Sequence, residues 1–242
     1  TGDDLPDRIV GVDPAIVWAD TGSTILYIEQ DPETLLGVRV RAHTLGTDPT
    51  ADPVIFENDD DAYYMDIRVG RSKRHLFIDL ESTDTTETLM APFGSPQPAF
   101  TVTIPRADRH EYHLEDLDDD LVILTNRDAE NFRVVRAPIA TCQEVATWQE
   151  VVAHDPAVFI EDTLALREHL VLSIREDGLL RLRIVPWDGG APATVAADDP
   201  SPSMSMTKPS EPSSSMAIPT TTSSTAPATS ASPTSPTRNS TA

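Results

Sequence analysis

Short apolar runs alternate with polar turns along residues 1–199, and the runs recur at intervals of 45 to 51 residues. The clearest case is the stretch 121–139, LVILTNRDAENFRVVRAPI. Two apolar runs, residues 121–125 and 132–138, flank a polar segment carrying Asn126, Asp128 and Asn131. Val, Ile, Leu and Phe suit a pleated, half-buried surface. Asn and Asp suit the turn, because their short side chains bond nearby backbone and tolerate left-handed conformations. The pattern predicts a β-hairpin, and the hairpin repeats. Its first run has counterparts beginning at Ile25, Leu76 and Leu170. Three of the four are followed, 10 to 13 residues after the run begins, by a run with alternating arginines: VRVR at 38–41, FRVVR at 132–136 and LRLRI at 180–184. A strand-built repeat of roughly 40 to 50 residues is the signature of a β-propeller.

The first predicted blade takes residues 15–19, 24–29, 36–45 and 54–57, after a lead-in loop with one short strand at 8–12. Asp20-Thr21-Gly22-Ser23 and Gly46-Thr47-Asp48-Pro49 supply its turns. The second takes 63–69, 74–80, 87–90 and 100–104. Pro92, Pro96 and Pro98 crowd its third strand, and proline is excluded from central strands. The third runs from 110 to 152 and closes on residues 148–152; the stretch 141–151 also fits a short helix. The fourth takes 158–166, 169–175, 179–186 and 193–196, with Asp177-Gly178 as its tightest turn. No segment sustains an apolar period of 3.6 without strand-like interruption. The expected fold class is all-β: a partial β-propeller of about four four-stranded blades, followed by a tail.

Composition changes the picture at one place. From Pro200 to the end the chain is nearly all Ser, Thr, Pro, Ala and Met, with Lys208, Glu211 and Arg238 its only charges. Such a tail has too little apolar surface to offset its ordering entropy, so 200–242 is expected to be disordered and 1–199 to be the propeller fragment. The chain's formal net charge of −22 therefore falls on residues 1–199, where 16 basic residues face 39 acidic ones and Lys73 is the sole lysine. This balance excludes nucleic acid as a partner, since phosphate neutralisation needs a basic stripe. It fits a solvated acidic surface, or attraction to cationic substrates. No apolar run approaches the roughly 20 residues of a membrane helix, so no membrane partner is expected. The single cysteine, Cys142, cannot form an intrachain disulfide, and no signal peptide opens the sequence. A cytoplasmic chain that starts inside a longer protein is the expectation.

Several blocks resemble a known family. The segment 39–49, RVRAHTLGTDP, resembles the strand and His-x-Leu-Gly-Thr turn in propellers of the prolyl oligopeptidase family of serine peptidases. His110-Glu111-Tyr112, residues 121–126, Asn131-Phe132-Arg133 and Val135-Arg136-Ala137-Pro138 are similar to its oligopeptidase B (protease II) branch. So are Trp148, His154-Asp155 and Phe159-Ile160-Glu161-Asp162. The resemblance covers residues 1–199. It implies a seven-bladed propeller above an α/β-hydrolase domain with a Ser-Asp-His triad, the propeller admitting only peptides of limited length. It also implies cleavage after Arg or Lys. The family's triad and basic-residue pocket map onto no position here. A nucleophile elbow requires Gly-x-Ser-x-Gly between strand and helix; Gly22-Ser23 and Gly94-Ser95 lack the second glycine.

Other candidate chemistry is weighed on spacing. His110 and His113 lie three apart, on opposite faces of a strand, so they cannot share a metal without a bulge. Asn58-Asp59-Asp60-Asp61, and Asp116 with Asp118-Asp119-Asp120, are carboxylate-rich turns without the glycine and final glutamate of an EF-hand. His154, Asp155 and Ser173 would need triad geometry that no spacing supplies. Arg39, Arg41, Arg133, Arg136, Arg181 and Arg183 either pair with carboxylates within a blade or line the central channel; pairing is expected. No catalytic, metal or cofactor-binding residue is assigned, and no cofactor is expected.

Three readings stand: the substrate-gating propeller of an oligopeptidase B-like endopeptidase, with peptide substrates met through a catalytic domain absent from these residues; a free-standing acidic interaction module; and a non-peptidase enzyme with its site at the propeller centre. Because the blade pattern stops sharply near Ala197-Asp198-Asp199-Pro200, the tail is expected to arise from a reading-frame shift. Translating the same DNA in another frame beyond codon 199 should restore strand-like sequence and, farther on, a Gly-x-Ser-x-Gly elbow. If all three frames lack both, the tail is native and the interaction module gains the better claim.

Overall fold

The repeats become four antiparallel sheets of four strands each in the computed structural model, which describes Leu5 and residues 7–195. The first sheet holds β1 (Val12–Trp18), β2 (Thr24–Gln30), β3 (Gly37–Thr44) and β4 (Val54–Glu57). The second holds β5 (Tyr64–Val69), β6 (His75–Glu81), β7 (Thr86–Pro92) and β8 (Thr101–Ile104). The third holds β9 (Tyr112–Leu117), β10 (Asp120–Thr125), β11 (Arg133–Pro138) and β12 (Gln149–Val152). The fourth holds β13 (Val158–Ala165), β14 (His169–Glu176), β15 (Leu179–Pro186) and β16 (Ala193–Val195). Each strand pairs with the next in sequence, so every sheet is a meander. Among the described residues the only helical pieces are three 3-10 turns, and none is long and apolar enough to cross a membrane.

Four details depart from the sequence pattern. The strand expected at 8–12 does not form: Gly11 takes a φ of +69°, and only Val12 joins β1. The proline-crowded third strand of the second sheet is longer than expected, pairing with β6 along its whole length from Glu81↔Thr86 to His75↔Pro92. Pro92 is tolerated because it sits at the strand's last residue. Phe132 belongs to the turn, not the strand; it adopts a φ of +65° and meets Phe159 edge-on at 5.6 Å. The stretch 141–151 gives neither a helix nor a full strand. Two 3-10 turns, Ile139–Thr141 and Val145–Thr147, lead into β12. The tail expectation lies outside the described residues.

Consecutive sheets stack face to face, and their second strands carry the core. In β6, Leu76, Ile78 and Leu80 pack toward the first sheet's Leu26, Ile28 and Val40. Phe77, one residue out of phase, packs toward the third sheet's Leu121 and Ile123. In β10 the same alternation sends Leu121 and Ile123 one way, while Val122 and Leu124 meet Leu170, Leu172 and Ile174 of the fourth sheet. A strand covered on both faces is apolar at nearly every position, the buried Asp79 and Thr125 being held by hydrogen bonds, which is why these runs do not alternate in sequence. Each such side chain contributes roughly 1.5–3 kcal/mol by its burial.

Charged residues line the rims. Arg39 bonds Glu57 at 2.7 Å, Arg41 bonds Glu29, and Arg136 bonds Asp120 at 2.6 Å. Arg133 faces Glu150, and Arg181 and Arg183 face Glu176, at 3.6–3.7 Å. All six arginines thus pair within their own sheets, as the sequence predicts.

Gly70 marks the tightest approach between sheets. A Cβ there would lie 2.6 Å from Asp116 Oδ1 and 2.7 Å from Phe77 Cε2, both deeply buried. Gly70→Ala is expected to destabilise the fold by about 1–3 kcal/mol through overpacking, read as a lower urea midpoint. An unchanged midpoint would show that the second and third sheets are free to separate there.

Candidate functional site

The residues singled out for chemistry are dispersed. His110 is buried, its Nε2 2.8 Å from Thr125 Oγ1 and its ring between Tyr112 and Trp148. Burial, with help from Arg127, lowers its pKa and favours the neutral ring. His113 is more exposed and approaches Glu115 at 3.7 Å, so the two imidazoles do not converge. In the 58–61 turn, Asn58 and Asp60 are held by Arg106, whose guanidinium lies 3.9 Å from the Tyr63 ring centroid. Asp116 turns inward, Asp119 pairs with Arg74 at 2.9 Å, and Asp120 pairs with Arg136. Asp155 accepts the Ala157 N–H, and Ser173 sits mid-strand between Asp162 and Leu182. No hydrogen bond links His154, Asp155 and Ser173. Among the described residues no group of three or more metal-type ligands comes together.

Two buried polar clusters do form. The first explains the His-x-Leu-Gly-Thr segment. His43 is fully buried, its Nδ1 3.0 Å from both carboxylate oxygens of Asp52 and its Nε2 3.6 Å from Asp7 Oδ2. Tyr27 donates its hydroxyl to Asp52 at 3.0 Å; burial first, then this bond, pushes its pKa well up. The Gly46 N–H donates to Asp7 at 2.7 Å. The motif is therefore a clasp that holds residue 7 to the first sheet.

The second cluster escaped the sequence reading. Asp116 of β9 accepts bonds from Ser72 Oγ and, at 3.2 Å, from the Ser72 N–H. His75 Nδ1 lies 2.8 Å from the same carboxylate. Ser, His and Asp are all present, but the carboxylate stands between the other two. A triad needs imidazole at the serine to take its proton; here Ser72 donates to Asp116, so no nucleophile is generated. Burial pushes the Asp116 carboxyl up, yet the Ser72 and His75 bonds outweigh it and hold it below the ordinary value. Beside this cluster Arg68 bonds Asp79 at 2.6 Å and the Leu114 carbonyl at 2.8 Å, with its guanidinium 4.4 Å from the Phe77 centroid. Both groups bolt the second sheet to the third. The repeat offered a signal: Ser72 in the β5–β6 turn and His75 at the start of β6 lie about one blade before Asp116.

The geometry is that of stacked, cross-braced propeller blades, and comparison with known proteins gives them a family. The profile of the prolyl oligopeptidase N-terminal β-propeller domain matches residues 1–236. The chain belongs to the prolyl oligopeptidase family. That match runs past residue 199 into the Ser/Thr/Pro-rich stretch. Dipeptidyl aminopeptidase BI of Pseudoxanthomonas mexicana is 39% identical over 207 residues, covering 85% of this chain and 28% of that protein. Protease 2 of Moraxella lacunata is 30% identical over 187 residues, covering 76% of this chain and 26% of that protein. The chain thus spans little more than a quarter of these relatives. Among solved structures, oligopeptidase B from Leishmania major superposes with a TM-score of 0.75 at 23% identity, over 82% of this chain and 29% of that one. Its counterpart from Trypanosoma brucei, with covalently bound antipain, gives 0.73 at 24% identity, over 81% of this chain and 29% of that one. At these identities the superpositions speak to the fold. They agree with four blades of a prolyl oligopeptidase-type propeller.

The Asp116 cluster carries a pH signature. A carboxyl held below its ordinary 3.8 stabilises the fold fully above that value, and the contribution fades as pH falls through the lower folded value. Asp116→Asn should cost about 1–3 kcal/mol near neutrality. The gap to the unaltered protein should narrow as urea midpoints are taken from pH 6 toward pH 3. A gap that stays constant or widens would mean that the carboxylate form is not the one held.

Proposed function

We propose that residues 1–199 serve as the substrate-gating propeller of a serine peptidase of the prolyl oligopeptidase family, and that the hydrolytic chemistry resides outside these residues. The observation that carries this reading is the placement of the buried polar groups. Each described cluster braces a blade or ties two together, and among the described residues no serine hydroxyl is addressed by an imidazole. The absence of a Gly-x-Ser-x-Gly elbow from the sequence agrees. We take the substrates to be peptides cut after Arg or Lys, in the manner of an oligopeptidase B. The similarity to Protease 2 supports this, as do the acidic balance of the chain and the carboxylates Asp13, Asp66 and Glu115 on first strands of successive sheets. The working compartment is taken to be the cytoplasm, where the free thiol of buried Cys142 would persist.

A second reading has its own support. The 39% identity to a dipeptidyl aminopeptidase exceeds the 30% to Protease 2, which favours removal of dipeptides from free amino termini. The two readings differ in the substrate end they require. The chain by itself should take up no fluorophosphonate probe and should not cut arginyl reporter substrates; serine labelling together with cleavage would overturn the assignment of chemistry elsewhere. Joined to a hydrolase domain of the family, it should support cleavage of amino-blocked arginyl peptides. Cleavage confined to unblocked peptides, two residues at a time, would select the dipeptidyl reading. If the joined protein is inactive on both while the chain captures a basic protein, the free-standing module is the better account.

A further inference from the structure

The β5–β6 turn, Gly70-Arg71-Ser72-Lys73-Arg74, gathers three cations within four residues of a strongly acidic chain. Arg74 is committed to Asp119. Arg71 and Lys73 are exposed and, among the described residues, make neither an ion pair nor a side-chain hydrogen bond. They border an open depression of about 570 Å³, walled by Trp18, Val69 and Phe93, with Glu115 at its edge. That volume falls within the roughly 300–1,000 Å³ of small-molecule sites.

The position is set by the fold. Trp18 and Val69 are the last residues of β1 and β5, and Glu115 lies near the end of β9. The first strands of three consecutive sheets thus finish around one hollow. Its walls are fixed in place. The Phe93 N–H donates to the Arg74 carbonyl at 2.8 Å, and the Gly94 N–H donates to the Ala19 carbonyl at 2.9 Å, which locks the β7–β8 turn against the β1–β2 turn. Trp18 nevertheless remains 46% exposed and Val69 36%, an apolar surface that no part of the described residues covers. The one carboxylate at the rim, Glu115, lies 3.6 Å from Arg68 and 3.7 Å from His113, and it also feels the charge of Arg71. It forms no ion pair with Arg71 or Lys73, so both keep their hydrogen-bonding groups for a ligand.

We propose that this hollow binds the carboxyl-terminal end of a short peptide, with an apolar last side chain against Trp18, Val69 and Phe93 and the free carboxylate between Arg71 and Lys73. Charge complementarity selects the occupant. A carboxylate can accept from both the guanidinium and the ammonium in charge-assisted bonds, and the adjoining aromatic and aliphatic walls call for an apolar neighbour on the same ligand. A large polyanion, or the acidic surface of another protein, meets the repulsion of a chain whose net charge is −22. A short peptide carries a single negative charge and meets it only locally. This binding is independent of the peptidase assignment, and is tested on the intact 242-residue chain without any hydrolase domain.

The probe is N-acetyl-alanyl-phenylalanine with a free carboxylate, compared with the same dipeptide as its C-terminal amide, titrated calorimetrically and by tryptophan fluorescence at low salt. The acid should bind saturably and about tenfold more tightly than the amide. The double variant Arg71→Gln, Lys73→Asn should bring the acid down to the level of the amide and leave the amide unchanged. Asparagine is chosen because Lys73 has a φ of +59°, which asparagine tolerates. Trp18→Ala should weaken both ligands. Circular dichroism matching that of the unaltered chain would show that each variant folds. Equal affinity for acid and amide, no loss in the double variant, or no saturable binding would each overturn the proposal. Displacement by inorganic phosphate at comparable concentration would overturn it in favour of a general anion site. Self-association in sedimentation that Arg71→Gln, Lys73→Asn abolishes, without peptide binding, would overturn it in favour of a second copy of the chain.

Discussion

Each sheet of this protein has two faces, and only neighbouring sheets can cover them. That requirement explains the second strands. In β6 and β10 every position from Leu76 to Leu80 and from Leu121 to Thr125 is buried, because sheets stand on both sides. In β14 burial alternates: Leu170, Leu172 and Ile174 face the third sheet, while Val171 and Ser173 do not. On that second face Leu180, Leu182 and Val195 are 47–54% exposed. The difference lies in neighbours, since the runs beginning at Leu76, Leu121 and Leu170 are similar in composition.

Apolar stacking brings the sheets together, and buried polar groups set how they meet. Arg68 spans from Asp79 of its own sheet to the Leu114 carbonyl of the next, and Asp116 reaches back to Ser72 and His75. Such bonds are non-negotiable once formed, because an unpaired buried donor or acceptor costs about 1–3 kcal/mol. They also consume the side chains that would otherwise attract a catalytic reading. A serine that donates to an aspartate, and a histidine that leans on the same aspartate from the other side, form a brace. The rim arginines make the weaker contribution expected of exposed pairs. The described sheets are in these terms a scaffold braced by its own polar side chains.

Much was legible from the residues alone. Strand periodicity and the recurring runs marked the four blades, and their boundaries fell within a few residues of the strands formed. The period of two set His110 and His113 on opposite faces of one strand, whereas in the structure His110 precedes β9 and only His113 lies on it. The in-sheet pairing of Arg39, Arg41, Arg133, Arg136, Arg181 and Arg183 followed from acidic residues on adjacent strands. The His-x-Leu-Gly-Thr segment pointed to the family before its physical role was visible. All these are local facts: they depend on side-chain alternation within a strand or on the strand beside it.

What only the tertiary structure decided are contacts between sheets and conformations imposed by them. The Ser72–His75–Asp116 brace joins residues more than forty positions apart, and no local pattern distinguishes that aspartate from Asp118, Asp119 or Asp120 in the same acidic run. Gly70 looks like an ordinary turn glycine until Asp116 and Phe77 crowd it. Phe132 reads as the start of a strand, yet its ring is drawn to Phe159 of the next sheet and its backbone turns left-handed. Strand pairing is governed by period and turn chemistry, which the chain carries within each fifty-residue repeat. The stacking of one repeat on the next is governed by which side chains happen to meet across the gap, and that depends on the relative placement of whole sheets.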